Sequence, residues 1–193
     1  MCKFKSAIVL LNGDIIHNPF TDSHEDLIEL AGLIDNGKGN FVRVEFCPTE
    51  RYDNLEKYVF KVDQSDVPEW FGEVEESVKE RMTEIIRSMI VKEDQKIIIG
   101  RSVILSGDVK INKIRHCIIQ EMYGNSQVKE MYGNSQVKEM DSNSQVIRMY
   151  GNSQVTRMDG NSQVTRMDGN SQVKEMYGNT QVIRMYGNSQ KPK

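Results

Sequence analysis

The sequence predicts an α+β N-terminal domain of order ββαββα, followed by a parallel β-solenoid of the β-helix or β-roll type. The main observation is a nine-residue phrase, M-(Y/D)-G-N-S-Q-V-x-x, of which eight copies follow one another without a linker from Met122 onwards. Upstream of the phrases, apolar residues follow the periods of strands and helices in alternation. A chain of 193 residues is long enough for one small domain with an appendage.

The N-terminal segment contains the signals of a β-hairpin and a short helix. Apolar runs at 7–11 and 15–16 flank Asn12-Gly13, a dipeptide that adopts the positive φ of a tight turn. Ser23 has an acid three residues later, which is typical of a helix N-cap. The first three predicted elements are therefore β, β and α.

A second β-β-α group follows. Apolar residues alternate with polar ones over 41–46 and again over 56–62, so two half-buried strands are expected to pair across the loop between them. Pro68 suits a first helical turn, and from Val74 to Met89 apolar residues recur at steps of three or four. This spacing predicts an amphipathic helix.

The repeated phrase favours stacked strands over a helix, because Gly-Asn-Ser every nine residues interrupts any helical stripe. Val and Met are expected inside, Gln and the last two residues outside, and Asn or Ser at corners. Nine residues are too few to close a coil, so two phrases are expected to form each coil of about 18 residues. With strands about 4.8 Å apart, the phrases would form a rod of roughly four coils.

The solenoid is expected to begin before the first complete phrase. Leu105, Gly107, Asp108, Ile111 and Ile114 occupy the positions of Met, Gly, Asn, Val and the next Met. Because a solenoid must cover its apolar ends, we expect the α+β domain to act partly as an N-terminal cap. The predicted boundaries are 1–95 for the α+β domain, 96–121 for degenerate first coils and 122–193 for the phrase array.

Composition favours a cytoplasmic protein. Residues 1–121 carry 16 Lys and Arg against 22 Asp and Glu, and residues 122–193 carry 9 against 6, so the sequence argues against a nucleic-acid binder. Cys2, Cys47 and Cys117 are interpreted as free thiols in a reducing compartment. The apolar run at 7–11 is too short for a signal peptide or a membrane span.

No motif predicts a metal, a cofactor or a catalytic residue. His24 lies among acids, but these suit a helix N-terminus, whose free amides and dipole favour them. Asp159-Gly160-Asn161 resembles the calcium-binding nonapeptide rolls, yet five of the eight phrases carry Tyr in place of Asp. There is no phosphate loop and no recognisable nucleophile with its base. The sequence therefore favours a non-catalytic protein and leaves an activity of the α+β domain open.

The outward positions of the phrases are the predicted binding surface. If two phrases make a coil, alternate phrases stack, and one face presents Lys-Glu, Ile-Arg, Thr-Arg and Ile-Arg in succession. Stacked arginines repel one another, and Arg and Tyr are favoured at binding hot spots. Recent duplication without a binding role would produce the same mosaic. The residues predicted for this ladder are Lys129, Glu130, Ile147, Arg148, Tyr150, Arg157, Thr165, Arg166, Ile183, Arg184 and Tyr186.

Five segments together carry a resemblance: `SAIVLLNGDII`, `TDSHEDLIEL`, `FVRVEF`, `VPEWF` and `NSQVKEM`. On these segments the chain resembles a family of proteins from gut-bacterial phages and mobile elements, over its whole length. The family brings no activity and no catalytic residues. The resemblance implies an intracellular, phage-associated protein in a bacterial host, with a variable number of phrases.

Three functions follow as expectations. The first is a non-catalytic binding protein that presents the rigid repeat surface to a protein partner, in this context an inhibitor of a host enzyme or defence complex. The second is a structural solenoid that oligomerises. The third is a ligand- or nucleotide-binding α+β domain with a repeat arm. Membrane association is not expected.

Overall fold

The computed structural model describes residues 4–37 and 39–192. The chain divides into two compact units, Met1–Ser88 and Met89–Lys193. The first has the predicted α+β composition and the second is a parallel β-solenoid, so the predicted fold class is confirmed. The elements of the first unit are β1 (Ser6–Leu10), β2 (Ile15–Ile16), α1 (His24–Leu30), β3 (Phe41–Pro48), a 3-10 turn (Leu55–Lys57), β4 (Tyr58–Val62) and α2 (Phe71–Met89). The last residue of α2 is the first residue of the second unit.

The four strands of the first unit form an antiparallel sheet, sheet I, in the order β2-β1-β3-β4. Gly13 has φ of 80° in the hairpin between β1 and β2, as its Asn-Gly dipeptide predicts. The Ser23 side chain caps α1 by accepting from the backbone N–H of Asp26. α2 begins at Phe71 rather than at Pro68. Apolar residues of α2, among them Val78 and Met82, are buried as the periodicity predicts.

The strands of the second unit over the described residues 89–192 are, in chain order, β5 (Ile90–Val91), β6 (Gln95–Ile99), β7 (Ser102–Leu105), β8 (Lys110–Arg115), β9 (Ile118–Met122), β10 (Gln127–Tyr132), β11 (Gln136–Met140), β12 (Gln145–Met149), β13 (Gln154–Met158), β14 (Gln163–Met167), β15 (Gln172–Met176) and β16 (Gln181–Met185). They alternate between two six-stranded parallel sheets. Sheet II has the order β15-β13-β11-β9-β7-β5, and sheet III has the order β16-β14-β12-β10-β8-β6.

The phrase sets an 18-residue register, so each coil is built from two phrases. Val128 pairs with Val146, and Met131 pairs with Met149. The degenerate copies continue the same pairing in shorter coils, since Ile111 pairs with Val128, 17 residues later, and Ile98 pairs with Ile114, 16 residues later. Each sheet therefore stacks alternate phrases directly above one another.

The interior of the solenoid consists of Val and Met from both sheets, all buried up to Val173. Ser126 and the equivalent serines through Ser171 lie where each turn leads into the next strand, at the corner where Asn or Ser was expected, and their side chains are buried. Among the described residues, the hydroxyls of five of these serines have no hydrogen-bond partner, whereas that of Ser135 donates to the Tyr132 carbonyl. A small side chain fits here because the chain bends into its next strand within two residues.

Asparagine lies outside the coil and forms two ladders of side-chain hydrogen bonds. On one, Asn143 donates its amide to Asn125, and Asn161 donates to Asn143, at 3.2 and 3.3 Å. On the other, Asn152 donates to Asn134 and Asn170 donates to Asn152, each at 3.2 Å. The amide both donates and accepts, so one residue type satisfies its neighbours in every coil.

The glycines of the phrases occupy left-handed turns, each of which faces the turn of the preceding coil. Gly124 has φ of 74°, and a Cβ there would meet the backbone oxygen of Gly107 at 2.8 Å. In one phrase Ser142 replaces the glycine and keeps a positive φ of 57°. This conformation costs about 1–2 kcal/mol for a residue with a Cβ.

Cysteine chemistry differs from the prediction at one position. Cys117 is a free, buried thiol, as expected, whereas Cys47 is disulfide-bonded, so the expectation of a free thiol is wrong there. Cys2 lies outside the described residues. In the part of the chain that the structure describes, no helix is both long and apolar enough to cross a membrane.

Candidate binding surface

The outward side of sheet III is the candidate surface, and we call it the sheet III face. It comprises the outward residues of β6, β8, β10, β12, β14 and β16, with the residue that follows each strand. Its central columns are Lys129, Ile147, Thr165 and Ile183; Lys113, Glu130, Arg148, Arg166 and Arg184; and Arg115, Tyr132, Tyr150, Asp168 and Tyr186.

The ladder predicted from the sequence is therefore largely one surface. The register Glu130–Arg148, Arg148–Arg166 and Arg166–Arg184 follows the predicted succession. Arg157 lies on sheet II instead, where it is in strand register with Glu139 of β11 and Glu175 of β15. The ten other predicted residues lie in the columns of the sheet III face.

Charge differs between the two faces of the solenoid. The strands of sheet III carry eight Lys and Arg and one acid, a net charge of +7, whereas those of sheet II carry three of each, a net charge of zero. Half of the basic residues of sheet III lie on β6 and β8, which precede the complete phrases, and the other half depend on which variable pairs fall on alternate strands. The charge of the phrase strands can be predicted from sequence by assigning alternate phrases to different sheets. The sequence did not predict the positive charge of β6 and β8, because these strands precede the clear repeats. Their basic residues are Lys96, Lys110, Lys113 and Arg115.

Glu130 is the centre of a polar network on this face. Tyr132 Oη donates to its carboxylate at 2.8 Å, Arg148 Nη1 lies at 3.1 Å and Lys113 Nζ at 3.6 Å. The hydrogen bond from Tyr132, with the two cations, holds the pKa of Glu130 below its ordinary value. The same bond, with burial, raises the pKa of Tyr132 above its ordinary value. Glu130 therefore stays ionised and Tyr132 stays neutral at neutral pH.

Aromatic rings continue the network along the rod. The rings of Tyr132 and Tyr150 stack with centroids 5.0 Å apart and planes 13° apart, and Arg115 lies 5.9 Å from the Tyr132 centroid. Further along, Arg166 donates to Asp168 at 2.7 Å and lies 4.6 Å from the centroid of Tyr186. Hydrogen bonding to Asp168 raises the pKa of Arg166, and hydrogen bonding to Arg166 lowers the pKa of Asp168.

These contacts correct one argument made from the sequence. Stacked arginines were expected to repel one another, but Arg148 pairs with Glu130 and Arg166 pairs with Asp168. For Arg184, in contrast, no ion pair occurs within the described residues. Part of the variation between phrases is thus structural, since Arg pairs with Asp two residues later and Glu accepts from Tyr at the same spacing.

The acidic residues that the sequence offered as metal ligands have other hydrogen-bond or ion-pair partners within the chain. Asp159 accepts from Arg157 and from the backbone N–H of Gly160, so both of its carboxylate oxygens have partners within two residues of it in the chain. Near α1, Asp22 pairs with Lys5, and Asp26 accepts from the Thr21 hydroxyl at 2.7 Å. The acids next to His24 in sequence therefore have structural roles.

Fold and surface together define a class: a two-sheet parallel β-solenoid, preceded by an α+β unit, with one basic face. Comparison of the chain with family models, with curated proteins and with solved structures finds no match.

Proposed function

We propose that the chain is a binding protein whose sheet III face docks a protein partner with an acidic surface. The observation that carries the proposal is the difference in charge between the two faces of one solenoid, whose strands carry a net charge of +7 in sheet III and zero in sheet II. A solenoid needs no such difference for its own packing, because the interior residues of both sheets are the same. A basic face speeds encounter with an acidic partner and fixes its orientation.

The composition of the face favours a protein over a nucleic acid. Ile147 and Ile183 stand in the column next to the arginines, and Ile183 is exposed. Glu130 and Asp168 interrupt the basic columns. A nucleic-acid backbone offers a phosphate at each step and gains nothing from these residues, whereas protein interfaces combine arginine, tyrosine and apolar groups.

Rigidity supports the same proposal. Each coil is fixed to the next by strand pairing and by the asparagine ladders, so the face loses little conformational entropy on binding. In the phage setting that the resemblance implies, we propose that the partner is a host enzyme or defence complex that the rod inhibits.

Neutralising three arginines tests the proposal. The variant Arg148→Gln, Arg166→Gln, Arg184→Gln is expected to lose at least about tenfold in affinity for a partner captured from bacterial lysate, because each lost contact with a charged group costs roughly 1 kcal/mol or more. Capture by the tagged full chain, followed by titration with the purified partner at low and high salt, provides the measurement.

The matched control removes three positive charges from the other face. Lys138→Gln, Arg157→Gln, Lys174→Gln removes the three basic residues from the strands of sheet II, Arg157 at the phrase position of the arginines and the lysines one position earlier, and is expected to bind as the unaltered chain does. Equal loss in both variants would indicate that net charge matters and the face does not, and retained binding in the arginine variant would refute the proposal. A nuclease-sensitive partner would identify a nucleic acid instead.

End-to-end assembly is the second candidate. It is favoured by β16, which ends sheet III with Ile183, Met185 and Tyr186 exposed. Light scattering over a concentration series separates the two functions, since a strict monomer excludes assembly.

A further inference from the structure

A histidine and two carboxylates meet in the first unit although they are distant in the sequence. His24 is the first residue of α1, Glu45 lies in β3, and Asp63 directly follows β4. One ligand atom from each lies within 4.8 Å of the other two. His24 and Glu45 are both only 6% exposed, whereas Asp63 is open to solvent.

The orientation of His24 leaves one ring nitrogen for a ligand. Its Nε2 lies 3.0 Å from the Val44 carbonyl oxygen, which can only accept, so Nε2 carries a hydrogen and donates it. Nδ1 lies 3.2 Å from Asp63 Oδ2. In a neutral ring Nδ1 presents a lone pair to a carboxylate, and two such atoms need either a proton or a metal ion between them. A histidine that binds a metal through one nitrogen typically donates the other N–H in this way.

Glu45 adds a buried negative charge without a described counter-charge. Within residues 4–37 and 39–192 no ion pair is described for it, and Lys61, opposite on β4, is exposed. The neighbouring sulfur of Cys47, 3.6 Å from Glu45 Oε2, belongs to a disulfide and carries no charge. A buried carboxylate is costly unless a cation compensates it.

Ser6 provides a separate observation. It is 1% exposed and pairs with Glu45 between β1 and β3. Residues directly opposite on antiparallel strands point to the same face, with Cβ atoms about 5 Å apart. Among the described residues, the Ser6 hydroxyl has no hydrogen-bond partner. A buried hydroxyl next to the carboxylate completes a polar group of one nitrogen and three oxygen atoms on that side of sheet I.

We propose that His24, Glu45 and Asp63 bind one divalent transition-metal ion of the Zn²⁺ class. Zn²⁺ accepts one imidazole nitrogen and carboxylate oxygens in sites of three protein ligands. Magnesium suits the site poorly, because it prefers an all-oxygen octahedron. The exposed side at Asp63 leaves a coordination position for water or a small ligand. A metal here would hold the first turn of α1 against β3 and the end of β4.

Calorimetric titration of the full chain with Zn²⁺, after dialysis against a chelator, tests the site. The unaltered chain is expected to bind one Zn²⁺ and to gain thermal stability from it. Asp63→Asn is expected to weaken binding at least tenfold, and it should fold because Asp63 is exposed. Asp66→Asn, a change of an exposed acid three residues further on, is the matched control and is expected to bind as the unaltered chain does.

Nitrogen NMR of the histidine rings gives a second readout. On addition of Zn²⁺, the Nδ1 signal of His24 should shift to the metal-bound range while Nε2 remains protonated. The proposal is overturned if Zn²⁺ does not bind, if Asp63→Asn binds as tightly as the control, or if both nitrogens of His24 remain protonated in the presence of Zn²⁺. The last result would identify His24 as an imidazolium ion that pairs with the two acids.

Discussion

Met149→Ala is expected to lower the free energy of unfolding of the solenoid by about 2–5 kcal/mol. Met149 is 0% exposed and lies in register between Met131 and Met167, in the middle of the methionine column of sheet III. Removing its thioether leaves a cavity that the neighbouring coils cannot fill, because strand pairing fixes the distance between them. Urea unfolding followed by circular dichroism measures the effect.

Met185→Ala is the matched control for this change. Met185 holds the same phrase position in the last strand of the same sheet, but it is 37% exposed. Its truncation is expected to cost about 1 kcal/mol or less, since a partly exposed terminal residue loses few contacts. Equal losses for the two variants would contradict the continuous methionine core.

Gly124→Ala is the second change with a large expected effect, a loss of about 2–5 kcal/mol from two causes. The residue has φ of 74°, which costs about 1–2 kcal/mol once a Cβ is present. The new Cβ would also meet the Gly107 backbone oxygen at 2.8 Å, and overpacking of this kind costs about 1–3 kcal/mol. Backbone atoms of a neighbouring coil cannot rotate away as a side chain can.

Gly100→Ala separates the two causes. Gly100 also has a positive φ, 63°, but a Cβ there has nothing within 4 Å. We expect it to lose only the conformational part, about 1–2 kcal/mol. If Gly124→Ala were no more destabilising than Gly100→Ala, the close approach of successive turns would not contribute to stability. Both variants are compared by the same urea unfolding.

The solenoid was predictable from sequence because the repeat fixes its own register. A valine and a methionine three residues apart, recurring every nine residues, must share an interior, and 18 residues are needed to close a coil around them. The inward position of the serines was not predictable in this way, because Ser suits a corner or an interior equally well. The asparagine ladders were also missed, although an invariant residue that both donates and accepts is the signal that could have revealed them.

The candidate surface was predictable only in part. Alternate phrases gave the column from Glu130 to Arg184, but the pairing of Arg148 with Glu130 and of Arg166 with Asp168 depends on rotamers. The cluster around His24 could not be found from sequence, since Glu45 and Asp63 come close to it only when β3, β4 and α1 pack together. The sequence around His24 pointed instead to the neighbouring acids Asp22 and Asp26, whose side chains contact Lys5 and Thr21.

Two tyrosines at equivalent phrase positions provide the most direct test of the binding face. Tyr186 follows β16 on sheet III and is 46% exposed, and Tyr177 follows β15 on sheet II and is 50% exposed. Their similar exposure makes their reactivity in the free chain comparable.

Hydroxyl-radical footprinting of the full chain, alone and with its captured partner, compares these two tyrosines by mass spectrometry. We expect the partner to protect Tyr186, and Tyr150 with it, while Tyr177 reacts as in the free chain. Protection of Tyr177 with Tyr150 and Tyr186 unchanged would place the partner on sheet II and contradict the assignment of the sheet III face as the binding surface.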